Sequence, residues 1–324
     1  MGMIRTMGRS GLVVSALGLG TARIGGMGWQ EDYQLDYPQE EISASIRAIH
    51  RAIDLGINYF DTADEYGCGH AETVLGQALQ GRRDQVVIST KFGYAIDEAT
   101  RKVTGEDASP PAIRRACEGS LRRLGIDAID VYLLHLRDLA LEPAAEARET
   151  LEDLVKEGKI RYYGWSTDDP ERAALFAQGP HCTAIMHRLN IMMDAPKMLA
   201  LCEAHDLASL NRIPLALGLL SGHWSPETRL PEEDLRHGFF QVQRFLEDLE
   251  TAEALRQTLT LDGRSYAQGA LGWIWARSPR TIPVPGFRTE SHVLEDAEAL
   301  GRGPLSPEQM KEIETYKASM YRHT

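Results

Sequence analysis

Cysteine is scarce in this sequence. Four occur in 324 residues, Cys68, Cys117, Cys182 and Cys202, far apart and in no CxxC pair. That argues against a disulfide framework and suits free thiols in a reducing compartment. Long apolar runs are missing too, and the opening stretch MGMIRTMGRS has no apolar segment of the secretory kind. The expectation is therefore a cytoplasmic protein without a membrane partner. Positive charge is in deficit: Lys plus Arg is 35 against 47 for Asp plus Glu, a formal charge of −12. A nucleic-acid binder needs a basic face, so that class is disfavoured. No long block of one sign suggests a charged tail. The histidines show no metal-ligand spacing, and no metal is expected. No GxxxxGK[ST] loop occurs, and LGLGTARIGG fails the GxGxxG pattern because Arg23 stands where the third glycine belongs.

What is present is one unit repeated: a short β-rich run, a loop, then a helical pattern. The expected strands are Val13–Gly20, Ile57–Asp61, Val86–Thr90, Ile129–His135, Ile160–Ser166, Thr183–Leu189, Ala208–Pro214 and Thr281–Gly286. They are apolar almost throughout, as strands covered on both faces should be. A helix over Glu40–Leu55 would turn Ile42, Ile46, Ile49 and Ile53 inward and stop at Gly56. Ser109-Pro110-Pro111 opens a second that stops at Gly125; one is entered at Pro143, and Asp169-Pro170, Ala195-Pro196 and Arg264-Ser265 open three more. Eight strand–helix units without a Pro-, Gly- or Ser-rich linker favour one domain over 1–324, an α/β closed (β/α)8 barrel with its site at the C-terminal face. The non-periodic stretch Gly222–His237 follows the seventh strand and is expected to lie over that face.

Polar residues collect where these strands end. The segment DTADEYGCGHAETVLG starts at Asp61 and carries Tyr66; Lys91 and His135 close the third and fourth strands. Singly, each has a bland reading: a turn cap, a surface lysine, a core histidine. Together at one barrel mouth they suit carbonyl reduction. Hydride arriving at a carbonyl carbon leaves negative charge on oxygen, and a proton must follow. Tyr66 can give it, Lys91 should lower the phenol's pKa, Asp61 should fix the lysine, and a neutral His135 can orient the carbonyl.

GINYFDTADEYGCGHAETVLG, VVISTKFG, IDVYLLH and IRYYGWST together resemble the aldo-keto reductase superfamily, from LGLGT at Leu17–Thr21 to PGFRTESHVLED at Pro285–Asp296. The resemblance implies a barrel that binds an extended nicotinamide cofactor without a Rossmann domain, with the catalytic tetrad on Asp61, Tyr66, Lys91 and His135. It implies cofactor contacts from Gly20, Thr21 and Asp61 at the nicotinamide ribose and from Ser166 at the carboxamide. Arg212, Leu215, Ala216 and Gly218 are implied at the pyrophosphate, and Gly286, Phe287, Arg288, His292, Glu295 and Asp296 at the adenosine half. An arginine at 288 can bind a 2′-phosphate in bidentate fashion and favours NADPH over NADH. Three positions depart from the family pattern: Met186 where Gln is frequent, Arg212 where Tyr is frequent, and Thr167 where Asn is frequent. The expected substrate is a small carbonyl compound or a sugar, lodged near Trp29, Tyr33, Phe92 and Trp224. Two other readings remain at this point: a sugar or alcohol dehydrogenase working in the oxidative direction, and a non-catalytic NADP(H)-sensing barrel. The oligomeric state is not legible.

Overall fold

A computed structural model describes residues 2–26, 29–30, 33–34, 41–232, 234 and 236–320, with backbone alone at 29–30, 33–34, 240–241 and 320. Eight strands make one parallel sheet in sequence order: β1 (Leu19–Gly20), β2 (Tyr59–Asp61), β3 (Val87–Phe92), β4 (Ile129–Leu134), β5 (Ile160–Ser166), β6 (Cys182–Arg188), β7 (Ala208–Arg212) and β8 (Thr281–Pro283). The sheet closes on itself beside β1. Gly18 N–H donates to the Pro283 carbonyl at 3.0 Å and Gly20 N–H to that of Pro285 at 2.9 Å. This is the (β/α)8 barrel that the strand–helix alternation implied.

The first strand corrects the sequence reading. Val13–Gly20 is not continuous. Val13–Ser15 pairs antiparallel with Ile4–Thr6, and only Leu19–Gly20 enters the barrel. The Ser15 hydroxyl donates to the Leu17 carbonyl at 2.6 Å, at the bend between the two pieces. The hairpin stoppers the barrel floor. Its Met7, Leu12 and Val14 join Tyr59, Val131, Leu133, Ala208 and Ile282 in one buried interior cluster. Gly8, at φ +50°, touches the starts of β6 and β7 so closely that a Cβ would lie 2.2 Å from the Thr183 carbonyl oxygen.

The helices wrap outside: α1 (Ile42–Asp54), α2 (His70–Ala78), α3 (Pro110–Leu124), α4 (Leu141–Lys156), α5 (Pro170–Ala177), α6 (Pro196–Ala204), α7 (Gln243–Ala254), α8 (Arg256–Leu259), α9 (Tyr266–Arg277), α10 (Glu290–Arg302) and α11 (Pro307–Met320). Their starts follow local chemistry. Asp169 accepts from Glu171 N–H at 2.8 Å, and Ser265 and Gln268 cap α9 reciprocally. The expected inward face of α1 is rotated. Ser45, Ala48, Ile49 and Ala52 are buried, while Ile42 is exposed and Ile46 and Ile53 are half-buried. Small side chains let the helix come close to its neighbours, and the isoleucines flank the contact.

Beyond β3 the chain makes a hairpin, Tyr94–Asp97 with Lys102–Glu106, and Trp29–Gln30 pairs with its second strand. The sequence reading lacked this small sheet.

Candidate active site

The polar strand ends converge. Asp61 ends β2, and Lys91 sits inside β3, which runs two residues past its expected end at Thr90. His135 follows β4 directly, its N–H on the Phe92 carbonyl at 2.8 Å. Tyr66 rides a turn whose glycines are required by contact. Gly67, at φ +58°, lies so near Gly25 that a Cβ would fall 1.9 Å from the Gly25 carbonyl oxygen. The β2–α2 loop is thereby clamped backbone to backbone on the loop after β1, which fixes Tyr66 over the barrel.

Lys91 is the hub. Its Nζ donates to Asp61 Oδ2 at 2.7 Å, to the Thr62 carbonyl at 2.7 Å and to Tyr66 Oη at 3.2 Å. Lys91 is 0% exposed and Asp61 4%. A buried ammonium survives only if all its donors are used, and here three are. Asp61 Oδ1 accepts from the Ser89 hydroxyl at 2.6 Å, and Tyr59 Oη is 2.8 Å from that same hydroxyl. The carboxylate is thus held from two sides.

The electrostatics differ from the sequence expectation at one group. Burial pushes the Tyr66 phenol up to about 12, and Lys91, which opposes this, does not reverse it. Burial alone would lower the ammonium of Lys91; Asp61 and Tyr66 together hold it above the ordinary lysine value. Burial, then Lys91, Arg137 and Arg212, hold His135 well below the usual imidazole range, so its ring is neutral near pH 7. Glu65 Oε1 lies 3.5 Å from His135 Nδ1.

These groups open into a cavity of about 550 Å³, a size that takes an organic cofactor. Tyr66, Asp61 and His135 share its wall with Gly20, Ser166, Met186 and Arg212. Leu215, Gly218, Gly286, Arg288, His292, Glu295 and Asp296 line it further along. Of the expected cofactor contacts, Thr21, Ala216 and Phe287 lie off this wall; Phe287 is packed in the helix-side core. The residues fit a nicotinamide dinucleotide. On the wall, Ser166 Oγ is buried and makes no hydrogen bond. Buried polar atoms left so are costly, and ligand amide and hydroxyl groups can satisfy them. At the other end, Arg288 adjoins the start of α10, where the helix dipole favours an anion.

Asp168 was missed from sequence. It accepts from Arg188 N–H and Nε, each at 2.7 Å, and pairs with Arg212 Nη2. Arg23, Arg137 and Arg236 also line the cavity and were missed. Trp224 is on the wall, over Gly218, where a Cβ would sit 2.8 Å from its ring. The stretch after β7 thus covers the mouth as expected. Phe92 instead packs on Tyr132, ring centroids 4.6 Å apart, away from the cavity. The side chains of Trp29 and Tyr33 lie outside the described residues. Among the described residues, no group of three or more His, Cys, Asp or Glu could hold a metal ion, and no helix is long and apolar enough to cross a membrane.

Comparison with known proteins agrees with this geometry. The family model "Aldo/keto reductase family" matches residues 16–318. The "Uncharacterized oxidoreductase YqkF" of Bacillus subtilis is 28% identical over 320 residues, 98% of each chain. The glycerol dehydrogenase AKR11B4 of Gluconobacter oxydans superposes with a TM-score of 0.83 at 29% identity, over 98% of this chain and 95% of that one. An aldo/keto reductase of Klebsiella pneumoniae, solved with NADP and acetate, gives 0.71 at 30% identity over 97% and 95%. On these grounds the chain belongs to the aldo/keto reductase family, and it is an NAD(P)H-dependent oxidoreductase.

Proposed function

We propose that the protein reduces an aldehyde or ketone to an alcohol with NADPH, and that Tyr66 supplies the proton. The observation that carries this reading is the buried hub, Lys91 Nζ shared among Asp61, the Thr62 carbonyl and Tyr66 Oη. The bound nicotinamide supplies hydride. The chain's own groups manage the charge that results. Neutral His135 donates to the carbonyl oxygen and orients it. As that oxygen gains negative charge it becomes a far stronger base than a phenolate, so a phenol raised to about 12 still yields its proton. Lys91, 3.2 Å away, stabilises the phenolate left behind, and Asp61 keeps the lysine charged and aimed. Arg288 at the start of α10 suits a 2′-phosphate, and the Klebsiella relative was solved with NADP. The four cysteines are buried and form no disulfide, which suits the cytoplasm.

The same groups run the reaction backwards, and likeness to a glycerol dehydrogenase keeps oxidation of a small polyol as the second reading. The test follows NADPH absorbance with 4-nitrobenzaldehyde, wild type beside Tyr66→Phe. The wild type should consume NADPH, and the variant should be slower by roughly 10²–10⁴-fold while binding NADPH normally by fluorescence. Equal turnover by the two would remove Tyr66 from the mechanism. NADPH binding without turnover, combined with NADP⁺-dependent oxidation of glycerol, would favour the second reading.

A further inference from the structure

Arg137 lies two residues past His135 and lines the same cavity as Tyr66 and His135. Its backbone is mounted rigidly. Trp165 Nε1 donates to the Leu136 carbonyl at 2.9 Å and the Thr167 hydroxyl to the Arg137 carbonyl at 2.9 Å. Arg172 Nη2 takes the Asp138 carbonyl at 3.2 Å, and its Nε that of Leu139 at 3.0 Å. Four consecutive carbonyls are held by side chains from β5, the loop after it and α5. This gives Thr167 a task that an amino acid comparison alone does not reveal.

The guanidinium on this mount has no carboxylate partner among the described residues. Its charged neighbours on the wall do: Arg212 is paired with Asp168, Arg236 with Asp234, and Asp61 with Lys91. Arg137 lies near enough to His135 and Arg212 that its charge adds to burial in disfavouring protonation of both, at His135 behind burial and Lys91. Glu65 is the opposing charge beside His135, but it is not on the cavity wall. In a chain of net charge −12, an exposed cation on a fixed backbone, without an acid among the described residues and set at the reacting end of the cavity, is a site for an anion brought by the ligand. One guanidinium balances one negative charge, which matches a carboxylate better than a phosphate dianion.

We propose that the protein takes carbonyl substrates that bear a carboxylate, held by Arg137 while the carbonyl lies at Tyr66 and His135. This rests on the reading of those two residues given above.

The test uses two aldehydes of one shape, 4-carboxybenzaldehyde and 4-nitrobenzaldehyde, the second planar but neutral. Arg137→Ala and Arg137→Lys are compared with wild type, all as the NADPH holoenzyme. Arg137→Ala should lower kcat/KM for the carboxylate at least roughly tenfold more than for the nitro compound, chiefly through KM, and Arg137→Lys should recover part of the loss. Equal loss on the two aldehydes, or none, overturns the proposal. Calorimetric binding of 4-(hydroxymethyl)benzoate to the NADPH-loaded protein separates the two readings. Binding that weakens roughly tenfold in Arg137→Ala supports the carboxylate site even where neither aldehyde is reduced, in which case the reduction reading alone falls. Affinity unchanged by Arg137→Ala overturns the carboxylate site whatever the turnover.

Discussion

The two ends of the cavity are built differently. The end with Tyr66 is made of strand-borne, buried groups: Lys91 and Asp61 are locked by short hydrogen bonds to each other and to the chain around them. The end with Arg288 is made of a loop and the first turn of α10, and Arg288 and His292 are exposed there. Proton chemistry needs groups fixed to fractions of an ångström in a dry setting, which barrel strands provide. Holding a distant phosphate needs charge and reach, which exposed loops provide at little folding cost. Mutations at the first end should therefore damage folding and chemistry together, and mutations at the second should damage affinity alone.

The largest effect that checks this contrast is Lys91→Met. It leaves the buried Asp61 carboxylate without its cation, so it should cost about 3–5 kcal/mol of stability as well as nearly all reduction. Urea unfolding beside an activity assay measures both. A variant as stable as wild type would show that the first end is not structurally coupled.

A middle effect comes from pH. His187 on β6 is 1% exposed, with Nε2 2.7 Å from the Ser209 hydroxyl and Nδ1 3.0 Å from the Arg188 carbonyl. Ser209 Oγ already accepts from Asn211 Nδ2, so its proton is free for His187 Nε2, and a protonated ring would break that bond. Burial lowers the imidazole to about 4. The unfolded ring takes up a proton below about 6.5, the folded one only near 4. The stability it contributes is thus present above about 6.5 and lost as pH falls towards 4. Melting temperature should drop over that window, and His187→Gln should flatten the drop; an unaltered slope would assign the acid sensitivity elsewhere.

The smallest effect belongs to the second end. Arg288→Ala should raise KM for NADPH roughly tenfold, leave KM for NADH nearly unchanged, and leave the melting temperature alone. A fall in melting temperature comparable to that of Lys91→Met would erase the contrast.

Much of the reacting end was legible in sequence because its residues sit at strand ends, and strand ends can be found from apolar runs. Asp61, Lys91 and His135 were located that way, and Tyr66 in the loop just past the second strand. The physical state of Tyr66 was not legible. Spacing shows that a lysine is near a phenol, but only the fold shows that burial outweighs it. The Asp168–Arg212 pair was hidden because its partners lie on different strand ends, with no local pattern to join them. The bend between Val13–Ser15 and Leu19–Gly20 was hidden because VVSALGLG is apolar on either side of it. The hairpin Tyr94–Asp97 with Lys102–Glu106 carries only partial apolar alternation, since Val103 alone is buried in its second strand. The helix starts were read well because proline and cap residues act locally, as at Ser109-Pro110 and Asp169-Pro170.

The seam between β1 and β8 has a consequence in time. Its hydrogen bonds, Gly18 to Pro283 and Gly20 to Pro285, join segments from opposite ends of the described chain, and Trp275 Nε1 adds one to the Ala16 carbonyl at 2.8 Å. During synthesis the early strands can pair with one another as they emerge, yet β1 keeps a bare edge until β8 has been made. For most of its assembly this protein is then an open, curling sheet whose oldest strand waits longest for its partner.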